Sequence, residues 1–137
     1  MKTHIKTFAL LLLCTILFTG CATYHMSTQS LLEQFSNSRK EEKINYIIAF
    51  PFFIPFTVTG NNLRQVTCLD KYEKEHVIGV TNHTGIRITQ KDKTRKTFYF
   101  DTLIIQDSTI NGAKSHFIGL GIKPINLNSI DRIEIQK

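Results

Sequence analysis

The sequence predicts a mainly β protein: a small antiparallel sheet, curled or partly closed into a barrel, with one short helix on its N-terminal side. Three observations carry this. From Arg64 onward, apolar and polar residues alternate in short runs separated by turns rich in Asn, Asp, Gly and Lys, the period of half-buried strands. A helical period occurs once before that, over residues 30–38. The apolar run 44–59 is broken by Pro51 and Pro55. Proline lacks a backbone donor and clashes with the preceding helical turn, so this run reads as extended chain and not as a membrane-spanning helix.

The elements are justified in chain order. Lys2, His4 and Lys6 form a basic opening, Phe8 to Phe18 follows without a charge, and the small residues Thr19 and Gly20 lead into Cys21. That order is a secretory signal, not a fold element. The run is shorter than the ~20 residues a membrane span needs. Phe18-Thr19-Gly20-Cys21 resembles the lipobox of bacterial lipoproteins, with Phe18 where Leu is usual. The resemblance implies removal of residues 1–20 by cleavage between Gly20 and Cys21, and a covalent lipid on Cys21 as the chain's one prosthetic group. Acyl burial contributes ~0.8 kcal/mol per CH₂, and a single chain holds only marginally. The two or three chains implied here make attachment effectively permanent. Ala22 stands where an Asp would retain such a protein in the inner membrane, and Ala22-Thr23-Tyr24-His25 holds no acidic cluster. The resemblance therefore implies the outer membrane and its periplasmic face. An ordinary secretory signal followed by a chance cysteine is the competing reading.

Cleavage takes 20 of 137 residues and leaves 117, one domain's worth. It removes Lys2 and Lys6 from 17 basic residues, so 15 face 11 acidic ones, a formal +4. This modest excess does not point to nucleic acid, and no recognition motif for it is present. Of three cysteines, Cys14 leaves with the signal and Cys21 carries lipid. Cys68 then has no partner for an intrachain disulfide, and in an apolar strand it reads as a small buried hydrophobe.

Residues 21–29 read as a lipidated tether, and 30–137 as a single domain. Ser30 before Leu31, Leu32 and Phe35, with Glu33 three residues on, matches a capping box opening a helix over about 30–38. Arg39 to Lys43 reads as a solvated helix end or loop. The run 44–59 is either a pair of buried extended segments or an aromatic surface facing lipid or a partner protein, with Phe50, Phe52, Phe53 and Phe56 as its contact residues. Gly60-Asn61-Asn62 reads as a turn.

In the β module 64–137, strands are expected around Val66–Leu69, His76–Val80 and Ile86–Thr89. Another runs from Arg95 to Gln106 with a bend near Asp101, Phe98, Phe100, Thr102 and Ile104 facing inward. Asn111-Gly112 is the strongest hairpin signal. Phe117–Ile122 and Ile125–Leu127 are shorter candidates, and Ile133 and Ile135 face inward in a last strand. The pieces VTCLDK, GIRIT, TFYFDTLIIQDSTI and INLNSIDRIEIQ resemble the C-terminal modules of small Bacteroidota lipoproteins. The last piece is also similar to the final strands of SH3-like or Sm-like barrels. Neither resemblance implies an activity.

Candidate chemistry is sparse. His76, His83, His116 and Cys68 lack the tight spacings of a zinc site, so no metal is expected. A Cys-His-Asp set from Cys68, His76 or His83, and Asp70 or Asp101 would need a low-pKa thiolate, and nothing near Cys68 provides one. Asp101 interrupts an apolar run and is expected to pair with Arg87 or Arg95. The basic residues Lys91, Lys93, Arg95 and Lys96 read as a solvated hairpin tip. Asp101-Thr102-Leu103 and Asp107-Ser108-Thr109 resemble the Bacteroidota O-glycosylation sequon, which implies Ser108, and Thr102 if it is accessible, as acceptors. The expectation is a non-catalytic envelope module held by its lipid and acting through an envelope protein partner. An inhibitor or immunity lipoprotein is the alternative, and a Cys68-dependent enzyme a third reading.

Overall fold

A computed structural model describes residues 23–49, 52–116 and 120–137, with the backbone alone at 43–49, 52–56 and 58. The strands are β1 (Thr23–Met26), β2 (Lys40–Ala49), β3 (Phe52–Asn61), β4 (Gln65–Leu69), β5 (Glu75–Gly79), β6 (Gly85–Gln90), β7 (Arg95–Tyr99), β8 (Ile104–Gln106), β9 (Thr109–Asn111), β10 (Ile125–Asn126) and β11 (Ile130–Gln136). Helix α1 covers Thr28–Phe35, and 3-10 turns cover Phe100–Thr102 and Leu127–Ser129. The protein is mainly β, and its antiparallel sheets are not closed into a barrel. The main sheet has the order β5-β4-β1-β11-β6-β7, the strands β10-β9-β8 form a second sheet, and β2-β3 form a third.

The alternation in the sequence builds the core. Val66 and Cys68 on β4, Ile86 and Ile88 on β6, and Ile133 and Ile135 on β11 are all buried. Leu31 and Phe35 of α1 are buried with them, and the Phe35 and Phe100 rings stand 5.8 Å apart. The inward series of the long aromatic run is buried at Phe98, Phe100 and Thr102, with the expected bend formed by the 3-10 turn.

Several local expectations are corrected. The tether is not one beyond Ala22: Thr23–Met26 is β1, seated inside the main sheet between β4 and β11. Tyr24 and Met26 alternate with polar neighbours, and both pack on the core; four residues are too short for that alternation to stand out. The helix starts earlier, because Ser27 and not Ser30 is the cap: Ser27 Oγ accepts from the Ser30 amide at 3.0 Å. Residues 40–43 are strand, not loop. They form the root of β2 opposite Val58–Asn61, and the exposed positions Lys40, Glu41 and Glu42 show that charge is tolerated on a solvated strand face.

Gly60 and Asn61 end β3 instead of forming a turn. Asn111-Gly112 is not the hairpin tip either. That tip is Asp107-Ser108 between β8 and β9, where both residues adopt positive φ (48° and 64°), the requirement of a type I′ turn. Gly112 is needed for another reason: a Cβ there would overlap the Phe98 ring. Of the Phe117–Ile122 candidate, 117–119 lie outside the described residues, and Gly121 forms a bridge with Ala113.

Candidate functional site

Residues 44–49 and 52–59 of the run 44–59 lie in the paired strands β2 and β3. β2 and β3 pair over ten positions from Lys40↔Asn61 to Ala49↔Phe52. No other strand joins them among the described residues. At ~3.3 Å per residue each strand is about 33 Å long. Of the expected contact residues, Phe52, Phe53 and Phe56 lie on β3 opposite Ala49, Ile48 and Asn45, and Phe50 lies outside the described residues.

The hairpin meets the body at its root. Asn61 is 3% exposed. Its Nδ2 donates to the carbonyls of Phe100 and Leu103 (2.8 and 2.9 Å), and its Oδ1 accepts from the Leu63 amide (3.1 Å). One side chain thus ties β3 to both ends of the 3-10 turn. Gly60 packs so close to the Asp101 carbonyl that a Cβ would overlap it. Asn62 Oδ1 accepts from the Arg39 amide (2.8 Å), and Lys40 Nζ donates to Gln106 Oε1 (2.9 Å). Around this root lie two clefts. One, of about 160 Å³, lies between α1 and β8; the other, of about 360 Å³, is bordered by Arg64, and Arg39 and Lys40 line both. All three cations are exposed.

The root also stands on a defined rim of the main sheet. Thr23, Gln136, Gly85 and Tyr99 are cross-strand partners in one row. Just beyond that row, the Phe100 amide donates to the Thr84 carbonyl (2.9 Å), and Asp101 follows against Gly60. The residue two positions after Cys21 and the root of the hairpin therefore share one rim.

Asp101 does not pair with Arg87 or Arg95 as expected. His116 Nε2 lies 2.9 and 3.1 Å from its two carboxylate oxygens, and the Tyr99 ring covers the imidazole at 4.1 Å. Arg87 instead faces Glu134 across the β6–β11 ladder at 3.9 Å. The separation of Asp101 from His116 in the chain hides this pair from local pattern reading. The basic tip is partly engaged: Lys93 Nζ is 3.0 Å from Asp131, and Lys96 Nζ donates to the Lys123 carbonyl.

Cys68 is 2% exposed, its Sγ 3.7 Å from the His76 carbonyl. Burial pushes its thiol up to about 11, opposite to what a nucleophile needs. His76 instead bonds Asp70 (2.9 Å). That bond, aided by the amides of Lys74 and Tyr72 and opposed by burial, holds the Asp70 carboxyl below its usual range. Among the described residues no three His, Cys, Asp or Glu side chains gather as metal ligands, and no helix is long and apolar enough to cross a membrane.

The two sequon residues differ. Thr102 is 2% exposed; its Oγ1 donates to the Tyr99 carbonyl and accepts from the Ala113 amide. The hydroxyl is enclosed and bonded, so Thr102 does not meet the condition of accessibility under which it was expected as a sugar acceptor. Ser108 is exposed at the tip of the β8–β9 hairpin.

One further surface was not anticipated. The amides of Asp70 and Val80 donate to Lys74 and Arg64, which fixes the parity of the β4–β5 ladder and turns the backbone groups of Glu75 and Val77 outward. Val77 is 62% exposed and Tyr72, in the adjoining turn, 76%. No strand pairs with this edge among the described residues.

No known family model, curated protein or solved structure matches the chain.

Proposed function

We propose that the chain is a lipid-anchored, non-catalytic module of the bacterial outer membrane, on the periplasmic face, that acts by binding an envelope protein along the β5 edge. The anchor is the lipid on Cys21 after removal of residues 1–20. The observation that carries this reading is the position of Thr23. The first described strand begins two residues after Cys21, inside the main sheet, so a lipid on Cys21 would hold one rim of the sheet at the membrane with almost no slack.

The β5 edge offers outward amides and carbonyls at Glu75 and Val77 beside two exposed apolar side chains. An unpaired edge of this kind is a template for strand addition by another chain. The buried, high-pKa thiol of Cys68 weighs against the enzyme reading.

A photoreactive residue in place of Val77 in growing cells tests the contact. A discrete crosslinked adduct is expected, and recovery of monomer alone would refute it. Metabolic labelling with an alkyne fatty acid tests the anchor. Label should be present in the native chain and lost in Cys21→Ser.

A further inference from the structure

The β2–β3 hairpin carries a segregated pattern of charge. No charged residue occurs from Ile44 to Leu63, whereas Arg39, Lys40, Lys43 and Arg64, against Glu41 and Glu42, cluster at its root. Four cations against Glu41, Glu42 and the buried Asp101 leave the root net positive, and Arg39, Lys40 and Arg64 border the two adjoining clefts there, with Glu41 beside them in the larger one. Both alternating series of the segment are mainly apolar: Ile44, Tyr46 and Ile48 in one, Asn45, Ile47 and Ala49 in the other, with Phe52, Phe53, Ile54 and Phe56 in the opposing strand. Such a hairpin has no solvent face of the ordinary kind. It pairs with no third strand among the described residues, and its described positions Glu42, Thr57 and Thr59 are exposed.

We infer that the paired strands Lys40–Ala49 and Phe52–Asn61 form an arm that docks on an anionic lipid surface, with Arg39, Lys40 and Arg64 meeting headgroup phosphates and the charge-free stretches 44–49 and 52–59 lying in the interfacial layer. Charge complementarity selects this occupant: cations at the root are drawn to an anionic leaflet, and the apolar strands that follow them suit the headgroup–acyl boundary. The rim supports it, because the hairpin root stands on the same edge of the sheet as Thr23. The arm does not cross the bilayer. A two-stranded ribbon has two open edges, and their amides and carbonyls cannot be left unpaired in hydrocarbon. The inference deepens the anchoring proposal and rests on it for the orientation of the body.

The chain has no tryptophan, so a single introduced one reports its own surroundings. The lipidated full chain carrying Phe53→Trp, and separately Tyr72→Trp, is reconstituted into phosphatidylglycerol/phosphatidylethanolamine vesicles containing lipids brominated at shallow or deep acyl positions. Phe53→Trp should lose about half of its emission to the shallow bromines and less to the deep ones, while Tyr72→Trp is unaffected. Adding Arg39→Ala and Arg64→Ala, both at exposed positions, should weaken the Phe53→Trp quenching in anionic vesicles. Protein that floats with the vesicles but shows no bromine quenching at Phe53→Trp overturns the docking arm and leaves the anchor standing, whether a protein or the body itself covers the hairpin. Equal quenching at both depths overturns interfacial docking in favour of a spanning assembly. Protein that fails to float overturns the anchor and the arm together.

Discussion

The Gln34 carboxamide occupies the place of a missing strand residue beside Thr67. Gln34 Oε1 accepts from the Thr67 amide at 2.7 Å, and Gln34 Nε2 donates to the Thr67 carbonyl at 2.9 Å. β1 pairs with β4 at His25↔Leu69 and ends at Met26, so the groups of Thr67 facing that side have no strand to bond. The side chain from α1 continues the ladder and clamps the helix to the sheet. Gln34→Ala should destabilise the fold by about 1–3 kcal/mol, since it leaves a donor and an acceptor unpaired in a half-buried site. Urea denaturation checks this. Gln34→Glu keeps the acceptor and loses the donor, so its midpoint at neutral pH should fall between those of the native chain and the alanine variant.

Asn61 plays the same part at the hairpin root, with three bonds from one enclosed amide. Asn61→Leu keeps the branched outline of the side chain but leaves the Leu103 carbonyl and the Leu63 amide without their partner, and the Phe100 carbonyl with the Leu103 amide alone. A loss of about 2–4 kcal/mol is expected. Hydrogen exchange separates its local and global effects. Amides of the 3-10 turn and of β3 near Gly60 should lose protection first, while those of β6 and β11 keep theirs until global unfolding.

What was legible in the sequence follows the reach of each force. Strands with one dry face announce themselves by period two, and Ile86/Ile88 and Ile133/Ile135 lie where that pattern put them. Asp101 was visible as an oddity, but its partner His116 is supplied by a separate segment, so the nearest arginines looked the better match. Asn111-Gly112 had the composition of a tight turn, yet its glycine is required by the Phe98 ring, while Asp107 and Ser108 adopt the positive φ of the real turn. β1 was missed because four residues give too little pattern against a polar background. The candidate surfaces divide in the same way. The charge-free run was plain in the sequence, whereas the open β5 edge is a property of strand order, which local composition does not encode.

Asp70 provides an acid-side test. Its carboxyl is held below its usual range chiefly by the hydrogen bond from His76, with the Lys74 and Tyr72 amides contributing. A lowered folded pKa adds stability that is fully present above the unfolded value of about 3.9 and is lost as pH falls through the lowered one. Asp70→Asn should therefore be less stable than the native chain at pH 6, and the gap should close as the pH is taken down through the lowered folded value. A gap that persists unchanged at low pH would assign the effect to turn geometry instead.

Cys68 provides the alkaline counterpart, with the opposite sign. Burial raises its thiol to about 11, above the unfolded value of about 8.5. A raised folded pKa means that its contribution is intact below the unfolded value and declines as pH rises toward the folded one, because unfolding then releases a proton the native state retains. Cys68→Ala removes this dependence while adding a small cavity. The alanine variant should start somewhat less stable at pH 7, and the difference from the native chain should narrow by on the order of 2 kcal/mol between pH 8 and pH 11. Thiol-specific labelling gives an independent reading. At pH 8 the folded chain should react with a disulfide reagent orders of magnitude more slowly than the urea-unfolded chain. Equal rates would mean that the strand around Cys68 opens readily and that the β4–β5 edge is far less firmly held than its ladder implies.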